Sequence, residues 1–159
     1  MNEQDKQLLL KDLCARLPYN VLCKTELYSE PFHLLGILDK ETILLDSPVY
    51  GEGDGEWYIS GAKPYLRPLS SMTEEEFVYF MGLRGRNLSH YDIQQMMKES
   101  FSHPNSIDIV NTLGRYSFNI DWLNKNMFDY RGLIERKLAI DCTGLHIYDR
   151  LLIINDMFA

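Results

Sequence analysis

Pro18 separates two hydrophobic textures, and that change of period constrains the fold more than any other feature of the sequence. Before it, Leu9, Leu10, Leu13, Cys14 and Leu17 recur at helical spacing with Gln4, Gln7 and Lys11 opposite, which predicts an amphipathic helix over residues 3 to 16. Glu3 and Asp5 at its start and Arg16 at its end suit the helix dipole, and Pro18 restricts Leu17 and stops the helix. After it, from Val21 to Ile59, short apolar runs are separated by turn residues. Leu34 to Leu38 and Thr42 to Leu45 flank Asp39-Lys40-Glu41 and read as a hairpin, and Trp57-Tyr58-Ile59 reads as a strand beyond an acidic loop from Gly51 to Glu56. Tyr65 to Arg67 lies between Pro64 and Pro68, neither of which has an amide to donate. This extended piece is therefore expected at a sheet edge or in a rigid loop.

The second half turns helical. Thr73 with Glu76 fits a capping box ahead of the stripe Phe77, Val78, Phe80 and Met81. Ser89 opens a second helix with Ile93, Met96 and Met97 facing inward, and Asn119 is the expected N-cap of a third, where Phe118 would staple against Leu123. Residues 102 to 117, and the apolar tail from Leu145 to Ile154, suit strand or helix equally. The pattern predicts an α+β fold: an N-terminal helix, a small mainly antiparallel sheet and a helical second half. With 159 residues and no linker or repeat, the whole chain is expected to form a single domain.

Charge and cysteine usage narrow the function classes. Residues 1 to 80 hold 14 acids against 7 bases and residues 81 to 159 hold 9 of each, so the first half carries the whole net charge of −7. Nucleic-acid binders normally show a basic stripe, because Lys and Arg neutralise phosphates. No direct nucleic-acid binding is expected. An acidic DNA mimic is a lesser reading, since bases interrupt the acids throughout. Cys14, Cys23 and Cys142 are odd in number and irregularly spaced, which predicts reduced thiols that act as small buried hydrophobes. The stretch from Met1 to Arg16 lacks the apolar core of a signal peptide, and no run approaches the roughly 18 apolar residues of a membrane span, so a cytoplasmic protein without a membrane partner is expected.

No motif in the chain specifies chemistry. Gly51, Gly53 and Gly55 alternate with acids and lead into a strand, which repels a phosphate where a phosphate loop would cradle it. A calcium loop starting at Glu52 would need Gly and Glu where the chain has Trp57 and Lys63. His33, His90, His103 and His146 include no pair at ligand spacing, and Cys142 with His146 would need ligands from elsewhere, so neither metal nor cofactor is expected. No catalytic residue is assigned. Arg84-Gly85-Arg86 reads as an exposed turn after a helix, or as a fork for an anion. Trp122 is expected in the core with Phe118, Leu123 and Phe128.

The candidate binding residues are Tyr65 and Arg67, in a segment stiffened by two prolines, and Asp129 and Arg131, which flank Tyr130 just before Gly132. Both segments join rigid backbone to polar tips, as recognition sites require. The competing reading is that Arg67 or Arg131 pairs with an acid such as Asp129 and fastens the sheet to the helices.

Three blocks carry a resemblance: residues 6–19 (KQLLLKDLCARLPY), 63–76 (KPYLRPLSSMTEEE) and 128–134 (FDYRGLI). They resemble a family of small uncharacterised proteins encoded by gut Bacteroides-type bacteria and their phages or prophages. The resemblance implies a mobile element and a bacterial cytoplasm; it carries over no functional residue, because the family has no assigned activity. Beyond Leu138-Ala139-Ile140 the family's members end soon, with a short acidic segment, whereas this chain continues through His146-Ile147-Tyr148 to Ile154. Aromatic richness of 12% and the acidic first half favour a non-enzymatic protein-binding or regulatory module of a phage or mobile element, with another protein as partner. The alternative is a small enzyme whose site assembles from scattered residues.

Overall fold

The computed structural model describes residues 1–46, 55–101 and 117–149, with side chains of the last stretch from residue 120 onward. Helix α1, Glu3–Arg16, starts where the Asn2 side chain accepts the Asp5 amide at 2.8 Å. Its buried positions are Leu9, Asp12, Leu13 and Arg16, one stripe at helical spacing in which an acid and a base take two of the four places. That stripe turns Cys14 outward, so this thiol is exposed and is not the buried hydrophobe expected of it. A 3-10 turn over Leu17–Tyr19, with Pro18 inside it, ends on Asn20 in the left-handed region at φ 56°.

The sheet follows. Strands β1 (Leu22–Thr25), β2 (Phe32–Ile37), β3 (Thr42–Asp46), β4 (Gly55–Tyr58) and β5 (Ala62–Pro68) are joined by the two-residue strands β6 (Phe128–Asp129) and β7 (Ile140–Asp141). The order is β4-β3-β2-β1-β5-β6, with β7 also beside β5. Pairings among β1 to β5 are antiparallel, and β6 and β7 run parallel to β5. The expected hairpin is β2–β3, and the Asp39 carboxylate shapes its turn by accepting the Glu41 and Thr42 amides at 2.7 and 2.8 Å. Ile59, expected in a strand, begins a 3-10 turn that carries the chain into β5.

Strand β5 corrects the expectation of a sheet edge. It lies inside the sheet, and its prolines fit because the strand changes partners along its length. Ala62 to Pro64 pair with β1, whereas Tyr65 and Leu66 pair with β7 and Arg67 and Pro68 with β6. Pro64 faces Cys23 as the last residue of the β1 ladder, where a missing donor costs little. Just beyond it, the Tyr148 hydroxyl bridges the parting strands: it accepts the Leu22 amide at 3.0 Å and donates to the Tyr65 carbonyl at 2.9 Å. Tyr148→Phe should therefore lower stability in urea unfolding by about 1–3 kcal/mol, the range for leaving a buried backbone group unpaired. A variant as stable as the parent would mean that the strands close without the hydroxyl.

One face of the sheet carries Phe32, Leu34, Ile43, Leu45 and Leu66, which share a core cluster with Leu9 and Leu13 of α1. A second cluster joins helices α2 (Glu74–Phe80), α3 (His90–Ser100) and α4 (Ser117–Lys125) around Phe77, Phe80, Leu123 and Phe128. The capping box at Thr73 and Glu76 forms as predicted, and Ser89 and Asp92 form another at the start of α3. Ile93, Met96 and Met97 pack half-buried against this second cluster. Helix α4 is already under way at Ser117, so Asn119 lies inside it and is not its N-cap. Arg84-Gly85-Arg86 is an exposed turn after α2, with Gly85 at φ 78°. The Phe118 staple, and the readings of residues 51–54, 102–116 and 150–154, fall outside the described residues.

Candidate functional site

Two of the four candidate residues belong to a buried charge network. Arg16 and Asp12, four apart on α1 and wholly buried, pair through Nε at 2.8 Å and Nη2 at 3.0 Å. Arg16 also donates to the carbonyls of Phe128 at 2.7 Å and Asn124 at 3.4 Å, while Arg131 reaches the same Asp12 carboxylate at 2.8 Å. Asp129 does not pair with either candidate arginine; it accepts the amides of Leu133 and Ile134 at 2.9 and 2.8 Å. Burial pushes its carboxyl above the ordinary range, against those two amides. Tyr130 completes the cluster by donating to Asn124 at 2.9 Å, with Arg131 over its ring at 4.4 Å. Arg131 thus fastens α1 to the segment after α4, while Asp129 shapes the turn within that segment.

Tyr65 and Arg67 alternate with the inward residues Pro64 and Leu66, so both lie on the opposite face of β5. Tyr65 is buried with Leu22 and Cys142 under the 140–148 segment. Arg67 grips Glu76 through both terminal nitrogens, at 2.9 and 2.8 Å, and lies over the Phe128 ring at 4.2 Å. Its expected acid was Asp129; its partner is the residue that also caps α2. Burial alone would raise the Glu76 carboxyl, but the Arg67 fork and the Thr73 amide outweigh it and hold the group below its ordinary value near 4.5. The native state therefore binds this proton less readily than the unfolded chain. Glu76 stabilises the fold above that pH and loses the contribution as pH falls below it. Glu76→Gln should flatten the acid limb of a melting-temperature profile, and an unchanged limb would remove Glu76 as its source.

Arg67 also lines a cleft of about 470 Å³ on this face. Its walls are Tyr19 and Asn20 after α1, Ser71 and Thr73 before α2, Lys125 to Met127 at the end of α4, and the strap from Cys142 to Asp149. Tyr148, through its bridge between β1 and β5, anchors that strap. Four non-glycine residues adopt positive φ among the described residues, and three of them, Asn20, Met127 and His146, line the cleft. His146 Nδ1 lies 2.7 Å from the Asp149 carboxylate. Burial pushes the Cys142 thiol up to about 11 and the Cys23 thiol to about 12, so both are protonated and unreactive near neutral pH. Among the described residues, no group of three or more His, Cys, Asp or Glu is placed to hold a metal ion.

Of the four candidates only Arg67 reaches the cleft; Tyr65, Asp129 and Arg131 do not line it. Sequence reasoning missed Lys125, Asn126 and Tyr148, whose types and spacings carry no signal of their own. In the sequence, Cys142 with His146 reads only as an incomplete ligand pair. No family model, curated protein or solved structure matches the chain. No helix among the described residues is long and apolar enough to cross a membrane.

Proposed function

We propose that the chain is a non-enzymatic protein-binding or regulatory module of a phage or other bacterial mobile element, acting in the cytoplasm, and that its cleft takes a segment of a partner protein. The observation that carries this reading is the gathering of left-handed residues on the cleft walls. Such backbone costs of order 1–3 kcal/mol per residue and persists where the surrounding structure holds a site in shape. A volume near 470 Å³ lies within the range of ligand clefts. The ionisable residues singled out for recognition mostly serve the fold, and the two buried thiols are held protonated, which favours binding over catalysis.

The test compares the parent with Thr143→Trp, which fills the cleft from an exposed position. Both proteins are immobilised and challenged with lysate of a Bacteroides-type host. The expected result is a protein retained by the parent and lost with Thr143→Trp at unchanged melting temperature. Retention indifferent to the substitution would remove the cleft as the binding surface.

A further inference from the structure

We infer that the strap is a lid: residues 143–149 swing off the sheet as a unit while the rest of the chain stays folded. Such a motion belongs to the unoccupied protein, whatever the cleft takes. The strap is fixed at its start, because the Cys142 amide donates to the Leu66 carbonyl of β5 at 2.9 Å. Beyond Cys142 its backbone bonds are local: the Thr143 amide donates to the Asp141 carboxylate at 2.9 Å, the Leu145 amide to the Cys142 carbonyl at 3.0 Å and the Asp149 amide to the His146 carbonyl at 3.4 Å. Among the described residues, the Tyr148 hydroxyl is then the one polar group that ties residues 143–149 to the body of the protein. Thr143 through His146 are exposed, Leu145 at 52%, and only Ile147 and Tyr148 pack against buried apolar side chains.

Little opposes opening. A segment with few buried apolar contacts and few bonds to its surroundings opens at a cost well below that of global unfolding. His146 at φ 54° holds left-handed backbone in the closed strap, a strain that opening releases. The Leu22 amide and Tyr65 carbonyl lose the Tyr148 hydroxyl on opening but meet water in its place, so the exchange costs little. Opening uncovers the Cys142 thiol, which burial pushes up to about 11 and keeps unreactive while the strap is closed. It also removes one wall of the cleft, so an occupant favours the closed form by mass action.

Iodoacetamide labelling of the unliganded protein, followed thiol by thiol by mass spectrometry across urea concentrations below the unfolding transition, measures the motion. Cys14 is exposed and sets the unprotected rate; Cys23, in the core, reports global unfolding. Cys142 should react more slowly than Cys14 yet at least about tenfold faster than Cys23, and with a weaker dependence on urea, because lid opening uncovers little surface. Tyr148→Phe should speed Cys142 about fivefold or more, since the substitution leaves the Leu22 amide unpaired only in the closed form. Gly144→Ala should speed it too, by straining the closed turn at φ 76°, and it carries the test if Tyr148→Phe does not fold. Cys142 labelling that matches Cys23 in rate and urea dependence would show that the strap leaves only with the whole fold, and labelling as fast as Cys14 that no closed strap exists. A Cys142 rate that neither substitution changes would show that the reagent enters through the cleft with the strap shut. Each of these three results overturns the lid. The partner-site reading is decided separately, by capture on the parent against Thr143→Trp.

Discussion

Arg16→Ala should cost about 3–5 kcal/mol, a large share of the roughly 5–15 kcal/mol that holds a domain folded. The guanidinium is wholly buried and donates to the Asp12 carboxylate and to the carbonyls of Asn124 and Phe128. Truncation leaves those two carbonyls without this donor, reduces the Asp12 partners to Arg131, and opens a void beside Tyr130. Arg16→Lys should recover only part of the loss, because an ammonium cannot present the planar fork that reaches both the carboxylate and the carbonyls. Removing Asp12 instead strands the buried Arg16 charge, so Asp12→Ala should be comparably damaging. The double mutant should lose less than the sum of the singles by about 1–3 kcal/mol, since the second substitution removes a group the first has already orphaned. Urea unfolding of the four proteins decides the matter. A cost below about 1 kcal/mol for Arg16→Ala, or strict additivity in the cycle, would show that the network does not lock α1 to the chain around β6.

Trp122→Ala should cost about 3 kcal/mol, the lower end for a truncated tryptophan, because the residue is only half-buried. Its ring stacks on Phe80 at 5.9 Å and on Phe128 at 5.6 Å, with Tyr79 tilted against it at 5.5 Å. Those contacts join α2, α4 and the start of β6, so the loss falls on the junction of the helical cluster with the sheet. Trp122→Phe, which keeps one ring in the stack, should recover most of it. The measurement is denaturant unfolding followed by far-UV circular dichroism, which does not depend on the tryptophan removed. Unchanged stability would make Trp122 a surface group and a candidate anchor for a partner.

The placing of Trp122 illustrates how far pattern reading extends. The sequence expectation puts Trp122 with Leu123 and Phe128, near neighbours along the chain, and both do share its cluster. Phe80 and Tyr79 were not foreseen, because nothing in the spacing says that α2 lies against α4. The same division runs through the charges. The sequence reading of Arg67 and Arg131 includes an ion pair to an acid such as Asp129, and each does form an ion pair. Yet the partners are Glu76 and Asp12, and the acid expected to pair with them binds two amides instead. An arginine at the end of α1 suits the dipole, and that argument holds whether the side chain lies in water or is wholly buried.

The sequence by itself determined the elements whose causes lie within a few residues: the α1 helix ended near Pro18, the β2–β3 hairpin closed by Asp39, and the Thr73–Glu76 box. A cap, a turn or a helix end is local backbone geometry, and each residue's contribution is nearly the same wherever the element ends up. The tertiary structure alone decided the partner exchange along β5, the buried network and the cleft. Arg131 meets Asp12 across 119 residues and Tyr148 meets Leu22 across 126. A side chain pairs with whatever the folded backbone brings within about 3 Å, and at such separations no spacing along the chain encodes that distance.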